Sequence, residues 1–544
     1  MRKGQSLLSN KHYIESVEEL NLSIQLMDES ELENIGWIAA FRSSACFEMN
    51  LIHETISDCK LALENLPKEK IIQRFKIWER LALSTSSVGS QAALLQILRS
   101  IKSELEDSEM EKSKIVSLLE RLATNLRSQK PSSRCRLKND EEKNERNDED
   151  GEERRPGDCV EVRVGEAGRY VVATRDIQAG ELILKDPSTA AVLNIQYIRT
   201  NCSNCLKPAI AGVPCSTCSQ VIFCSVSCRA NANFHALECK YIHIYPTIGP
   251  LAPILRLFTS KSFEYFKENS ALFQSYDPTT DWNLEQDLRC VFNLQRREKG
   301  SQYILEMTVQ AYYVLDCLRR MGFFGEKSSD EDELYIGRLA YCFLLGVEEN
   351  SHQIVEYQNH TGYTGSFDSL FDSEDLIAVI GSGVTRYTSL FNNSCDVNTI
   401  KYHQGKSTVL RAKRLIRKGE EVSDFYGEHF FNTERKIRRD RLGFQCICTP
   451  CRENWGLMKK LPSFTETNKT KIKKNWAQER RHLTSALARM DVESIKDSSL
   501  KLGKLAGVSP PHQDLVVPEM YLNYSLCYLY GNKSLRFLQF SKTV

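Results

Sequence analysis

The chain lacks a dominant sign of charge: among 544 residues, 72 basic face 71 acidic. A balanced chain has no global field toward nucleic acid or an anionic membrane surface, so direct nucleic-acid binding is not indicated. It also lacks any hydrophobic run approaching the roughly 20 residues that span a bilayer, and no membrane partner is expected. The first residues, Met1 to Leu8, show no sustained apolar stretch of the secretory kind. Neither a P-loop nor a G-x-S-x-G elbow occurs, so the usual motifs of phosphate cradling and serine hydrolysis are missing. With 41% hydrophobic residues the chain can still bury a sizeable core, and two to four domains are expected.

Cysteine is abundant, with 19 residues. Spread evenly, such thiols would be small buried hydrophobes. Seven instead fall between Cys202 and Cys239, and three more between Cys446 and Cys451. Without an export signal, that clustering points to metal thiolates rather than disulfides. The expected location is nucleus and cytoplasm.

Along the chain, residues 1–130 read as helical. Tyr13, Ser23 and Ile24 recur 39 residues later as Ile52, Ala62 and Leu63. The second copy, from Arg42 through Asp58-Cys59 to Ala62 and Pro67, resembles a tetratricopeptide repeat. Its small residues would let two helices approach closely, and Pro67 would end the second. A generic helical bundle is the alternative. Residues 131–158 are a mixed-charge run with almost no apolar residue, expected as a flexible linker or an acidic binding tail. Tyr170–Ala173 and Glu181–Leu184 read as strands around the turn signal Gln178-Ala179-Gly180. Residues 245–360 read as helical, with an apolar stretch from Leu339 to Val347. Strands and turns return over 376–427, and amphipathic helix resumes near Thr470. The end at Val544 follows a helical-looking segment, and a shortened chain is one expectation.

The sharpest pattern is Cys202-x2-Cys205, Cys215-x2-Cys218, Cys224-x3-Cys228 and His235-x3-Cys239, eight candidate ligands in 38 residues. Closed tetrahedral shells of Cys and His are the structural kind of zinc site. Eight ligands imply two ions. Interleaving is expected, with Cys202, Cys205, Cys224 and Cys228 on one and Cys215, Cys218, His235 and Cys239 on the other, although spacing alone leaves the pairing open. The pattern resembles a MYND finger, and the resemblance implies docking of short proline-containing peptides. A purely structural clamp is the alternative.

Four further segments together resemble a SET domain. The first is Ala167-Gly168-Arg169-Tyr170, where the resemblance implies backbone contacts from Gly168 and Arg169 to the methionine end of S-adenosylmethionine; Tyr170 stands at the family's second glycine. The second is Asn392-Asn393-Ser394-Cys395-Asp396-Val397-Asn398, similar to N-H-S-C-x-P-N, with Asn393 for His and Val397 for Pro. Asn392 and the Asn393 backbone are implied to hold the adenosine. The third runs from Gly419 to Gly427, and makes Tyr426 the implied catalytic residue, also touching the cofactor. A lysine amine has a pKa near 10.4 and attacks a sulfonium methyl only when neutral. A narrow aromatic channel disfavours the ammonium, and a phenol can align the amine. The fourth, Phe444-x-Cys446-x-Cys448-x2-Cys451, resembles the post-SET segment. The family completes that zinc shell with the motif cysteine, here Cys395, and stacks an aromatic, here Phe444, on adenine. Asn350 resembles a further cofactor-binding asparagine, with helix capping as the alternative.

A SET core split by a MYND finger resembles the SET and MYND domain-containing family of protein-lysine methyltransferases, in its longer subclass with amino-terminal repeats. The resemblance implies an α+β multidomain fold: a β-rich SET core split by the finger, flanked by helical, tetratricopeptide-like regions. The expected order is repeats over 1–130, a linker over 131–158 and the first SET part over 159–200. The finger follows over 201–240, then a helical insert over 241–375 and the SET carboxyl-terminal core over 376–428. A post-SET segment over 429–455 and a helical region over 456–544 complete it. Implied ligands are S-adenosylmethionine and three structural zinc ions. Implied partners are protein substrates with a target lysine, histone or otherwise, and chromatin corepressors or chaperones at the repeats. The rival expectation is a catalytically weak MYND and repeat adaptor in transcriptional regulation, motivated by Asn393, Val397 and Tyr170.

Overall fold

A computed structural model describes residues 1–26, 33–128, 159–165, 168–215, 217–218, 220–249, 251–274, 300–326, 328–357, 377–463, 470–489, 491–506 and 510–534. The charged run expected over 131–158 lies outside the described residues, as do Ala167, 275–299, 358–376 and 535–544. The chain divides into two compact units, Met1–Glu152 with Ile195–Ile242, and Glu153–Asn194 with His243–Val544.

In the first unit, seven helices precede the cysteine-rich segment: α1 (Arg2–Ser9), α2 (Tyr13–Gln25), α3 (Glu33–Glu48), α4 (Ile52–Asn65), α5 (Ile71–Val88), α6 (Gln91–Glu106) and α7 (Lys112–Ser128). The 39-residue offset has a structural counterpart, because Tyr13 opens α2 and Ile52 opens α4. Ala39, Cys59 and Ala62 are fully buried between α3 and α4, where small side chains let the helices close up. α4 ends at Asn65, and Leu66 is extended ahead of Pro67, as the proline ring requires. The helices continue past the two recognised copies: α5 and α6 meet at Gly89, in the left-handed region at φ 79°, over a core of Phe75, Ala82, Ile101 and Leu105. Arg42 is fully buried between α2 and α4. It donates to both Asp58 oxygens at 2.8 and 2.5 Å and to Asn21 Oδ1 at 2.6 Å. Asn21 in turn donates to the carbonyls of Ala209 and Ile210 at 3.4 and 3.3 Å, which ties the helices to the cysteine-rich segment.

The second unit carries three small antiparallel sheets. Strands β1 (Val160–Gly165), β2 (Gly168–Ala173), β3 (Leu182–Pro187) and β4 (Ala190–Leu193) are near its start. The cysteine-rich segment holds a short ribbon, β5 (Val213–Pro214) with β6 (Ile222–Phe223), which belongs to the first unit. Strands β7 (Ser351–Tyr357), β8 (Ile377–Val384), β9 (Thr399–Gln404), β10 (Ser407–Ala412) and β11 (Glu421–Val422) complete the set. The sheet orders are β1-β2-β11, β3-β10-β9 and β4-β8-β7. Gly180 turns the chain into β3 at φ 83°, as its turn signal predicts.

One expectation fails here: the helical reading of 245–360 includes residues that form β7. The helix Asp330–Asn350 stops at Asn350, and Ser351–Tyr357 pairs along β8. Its alternating Ile354 and Glu356, both buried, belong to a strand that fits between neighbours. Before it, Phe258, Phe266, Phe323 and Phe343 pack edge-on and tilted with centroids 5.0 to 6.2 Å apart. Each such buried ring is worth about 1.5–3 kcal/mol. Helices Thr470–Ala488, Val492–Ala506 and Gln513–Tyr530 follow. The last buries Leu522, Leu526 and Cys527 against Ile400, Tyr402 and Val409. Asn532 then accepts from Tyr357 N–H through its carbonyl and donates to His403 O, each at 2.8 Å, so this terminal stretch stitches β7 to β9.

Candidate functional site

Three groups of ligand atoms converge. Cys202, Cys205, Cys224 and Cys228 form one, Cys215, Cys218, His235 and Cys239 a second, and Cys395, Cys446, Cys448 and Cys451 a third, each set within 4.8 Å. Sulfur–sulfur distances of 3.5 Å (Cys205–Cys224), 3.4 Å (Cys224–Cys228), 3.9 Å (Cys215–Cys239) and 3.6 Å (Cys395–Cys451) are those of closed shells. A tetrahedron with zinc–sulfur bonds of about 2.3 Å has edges of about 3.8 Å. The donor sets therefore fit zinc. The interleaved pairing of the first two groups is also the one the sequence led us to expect.

Local structure aims these ligands. The Cys202–Cys205 turn passes through Leu206 at φ 63°. Ser225 caps the helix Val226–Ala230 by accepting from Cys228 N–H at 3.1 Å, which sets Cys228 one turn from Cys224. His235 presents Nε2 to Cys218 Sγ at 3.3 Å. Neighbouring thiols stabilise single thiolates: hydrogen bonds with Cys395 and Cys448 bring Cys446 down to about 3, while Cys395 is pushed up. The thiolate is the metal-binding form. Buried Arg438 donates to Cys451 Sγ at 3.6 Å and supplies positive charge beside four sulfurs.

The two motif segments around the third group interlock. Asp424 N–H donates to Asn392 O at 2.9 Å and Ser394 N–H to Asp424 O at 3.0 Å, so 392–394 runs alongside the stretch leading to Tyr426. Asn392 donates to the Arg169 carbonyl at 2.8 Å and to Glu421 at 3.1 Å, and Gly168 sits at φ 105° just before it. Gly168, Arg169, Asn392, Asn393 and Tyr426 thus come together from three distant stretches. The Tyr426 hydroxyl donates to Phe391 O at 2.8 Å. The side chain is 44% exposed, but its hydroxyl is tucked against Phe391 O, and desolvation there, then the Asp424 charge, raises the phenol above its ordinary value, so it is neutral at physiological pH. Asn393 spends its side chain on neighbours: Oδ1 accepts from Tyr426 N–H at 3.0 Å, and Nδ2 donates to Cys446 Sγ at 3.5 Å.

Two expected cofactor residues stand differently. Asn350 is buried at its helix end and donates to Gly346 O at 2.7 Å, a local bond that ends the helix. Phe444 is 38% exposed and lines a cavity of about 530 Å³ with Arg435, Lys436, Arg439, Asp440, Gly443 and Gln445. None of Gly168, Asn392 or Tyr426 lines that cavity.

Sequence reasoning missed Asp424 and Lys401. Asp424 has no exposed side-chain surface and pairs with Lys401 Nζ at 2.6 Å, two residues before Tyr426. An acid so close to the candidate tyrosine was the available signal; its partner on β9 was not readable. Asn398 was part of the motif without a role. It accepts from Ser423 N–H at 2.9 Å and donates to Glu421 O at 2.8 Å, which locks the knot.

Residues 168–427 match the SET domain family. That stretch, just under half of the chain, is similar to SET domains. Its relatives point the same way. It is 25% identical over 364 residues to protein-lysine N-methyltransferase SMYD4 of Pongo abelii, covering 52% of this chain and 45% of that one. A SET and MYND domain-containing protein of Dictyostelium discoideum is 26% identical, over 52% of this chain and 79% of its own. N-lysine methyltransferase SMYD2 of Homo sapiens is 24% identical, over 52% and 58%. Over about half its length the chain is thus similar to SET and MYND domain-containing proteins. The matched stretch spans less than half the length of the SMYD4 proteins. The SET domain of LSMT bound to lysine and AdoHcy aligns over 51% of each chain at 14% identity, with a TM-score of 0.21. Among the described residues no helix is long and apolar enough to cross a membrane.

Proposed function

We propose that this chain is an S-adenosylmethionine-dependent protein-lysine N-methyltransferase. The observation that carries it is the knot in which Gly168, Arg169 and Asn392 meet the backbone beside Tyr426. S-adenosylmethionine would supply an electrophilic methyl group on a sulfonium. Gly168, Arg169, Asn392 and Asn393 would hold it. The Tyr426 proton is engaged by Phe391 O, so the phenol oxygen keeps its lone pairs for the incoming amine. Alignment of a neutral amine is then the chain's main contribution to the barrier. The amine's proton leaves to solvent before attack.

The domain order expected from sequence belongs to this reading. Residues 201–240 act as a MYND finger with two zinc ions that docks proline-containing segments. The helices of 1–130 act as tetratricopeptide-like repeats for protein partners such as chromatin corepressors or chaperones. A third zinc closes Cys395 on the post-SET segment, and the protein works in nucleus and cytoplasm on histone or other protein lysines.

The adaptor reading has one observation in its favour, the position of Phe444 on a wall apart from Asn392 and Tyr426. Calorimetric titration of S-adenosylmethionine into zinc-loaded chain separates the two readings, with Asn392→Ala as control. Micromolar binding lost in the variant, followed by labelled methyl transfer to a lysine peptide, is expected. A folded, zinc-replete chain that binds nothing at millimolar cofactor would leave the adaptor.

A further inference from the structure

We propose that Asn393 is a positioning residue that couples the Cys395–Cys446–Cys448–Cys451 cluster to the backbone of Tyr426. The proposal rests on the methyl-transfer reading for the role of Tyr426, and on geometry alone for the coupling. Where the related motif has His, this chain has Asn393, a substitution that the sequence marked as a weakness. Its two amide ends are both engaged, and on opposite partners: Oδ1 accepts from Tyr426 N–H at 3.0 Å, and Nδ2 donates to Cys446 Sγ at 3.5 Å. A neutral imidazole has one donor and one acceptor nitrogen fixed across a ring, whereas a primary amide presents both from one carbon. Asn393 thus bridges a thiolate and a main-chain N–H that are 20 residues apart in sequence, at positions 446 and 426.

The surroundings make the bridge a transmitter rather than an ornament of the loop. The backbone at Asn393 is locked against Asp424 by the bonds of its neighbours Asn392 and Ser394, so its side chain has a fixed origin. Cys395 N–H donates to Cys448 Sγ at 3.5 Å, so the same loop grips the cluster a second time. Phe430 N–H donates to Cys395 O at 3.0 Å, which anchors the chain leaving Tyr426 on the far side. Tyr426 therefore sits on a short segment, 424–430, whose two ends are held by the motif loop and whose middle N–H is held by Asn393. A hydrogen bond accepted by a metal-bound thiolate is charge-assisted, and outer partners of metal ligands fix ligand orientation. A metal at this cluster would fix Cys446, which accepts from Nδ2, while Oδ1 holds Tyr426 N–H.

Hydrogen exchange read by mass spectrometry on the zinc-loaded full chain tests this, with Asn393→Leu and Asn393→Asp. The leucine removes both ends; aspartate keeps the acceptor for Tyr426 N–H but faces Cys446 with a carboxylate oxygen. In the leucine variant the Tyr426 amide should exchange about tenfold faster, with three zinc ions retained. Chelation of the wild-type chain should speed the same amide. The aspartate variant keeps the acceptor but has lost the tie to Cys446, so chelation should no longer change the exchange of that amide. For methyl transfer, the leucine should lower kcat about tenfold with an unchanged KM for a lysine peptide. Unchanged Tyr426 exchange in the leucine variant, or a response to chelation in the aspartate variant as large as the wild type's, would overturn the coupling. A wild-type chain with no methyl transfer would overturn the enzyme reading instead, since exchange and zinc retention are read without turnover.

Discussion

Arg42 and Asp58 are a charge pair with no solvent, and single residues matter most where water is excluded. Burial pushes the Asp58 carboxyl up against the pull of Arg42, so desolvation offsets much of the attraction. Breaking such a pair is costly because one charge is left alone, about 3–5 kcal/mol, whereas replacing both by apolar residues is often neutral. Arg42→Met should therefore lower the melting temperature sharply, and Arg42→Met with Asp58→Leu should restore most of it; equal losses in both would contradict this account. Asn21 would also lose its hold on the carbonyls of Ala209 and Ile210 only in part, since its own donors remain. At Tyr426 the prediction concerns chemistry. Tyr426→Phe should leave cofactor binding intact and lower methyl transfer about 100-fold by releasing the amine from alignment. Because the phenol is raised, the wild-type rate should climb through pH 8–10 with the fraction of neutral substrate amine, with no fall from tyrosinate. The residue scale is also where sequence is most legible for metals. Twelve candidate ligands come together in three groups because short Cys-x2-Cys spacings are local geometry. The side-chain partners of Asn393, Asp424 and Asn350 are long-range or rotameric facts, and a linear pattern carries no record of them.

At the scale of elements, the strands that open and close the SET domain are readable because they alternate and end in glycine turns, as at Gly180. β7 is not, since it follows a 21-residue helix with no breaker between Asn350 and Ser351. What makes it a strand is β8 beside it, a tertiary cause. β7 and β9 carry a consequence for pH. His403 is buried there and His352 half-buried, and desolvation first, then the Lys401 charge, lowers both to about 3. His352 Nε2 lies 3.2 Å from Ser389 Oγ, and His403 Nδ1 accepts from Val355 N–H at 3.4 Å, contacts compatible with neutral rings. The folded chain keeps both neutral while the unfolded chain protonates them near 6.5. Their stability is thus fully present above about pH 6.5 and is lost progressively as pH falls toward 3. At pH 5 the loss is about 2 kcal/mol for each. Melting temperatures of wild type and His403→Gln, compared between pH 7.5 and 5 with zinc held constant, should show a smaller drop for the variant. Parallel drops would mean that His403 does not titrate on unfolding.

For the whole molecule the decisive question is whether metal holds one structure or two. Two ligand groups lie in the unit of residues 1–152 and 195–242, and the third in the other unit, where Cys395 is joined to Cys446, Cys448 and Cys451. Unoccupied, each group would crowd thiols that repel when ionised, and metal binding is then part of folding free energy. The third group closes a loop of about 50 residues, and opening such a loop returns several kcal/mol of chain entropy to the unstructured state. Losses should accordingly be local and separable. Cys224→Ser should remove zinc from the finger and leave S-adenosylmethionine binding unchanged. Cys448→Ser should remove one zinc, free the 446–451 segment from the motif loop at Cys395 and weaken cofactor binding, because the loop that carries Asn392 and Asn393 loses its grip on that segment. Zinc content by elemental analysis, beside calorimetric cofactor titration, reads both variants in one experiment. If Cys448→Ser bound cofactor as the wild type does, the third group would be a surface staple with no bearing on the site, and the tie from sulfur to tyrosine would have no functional weight.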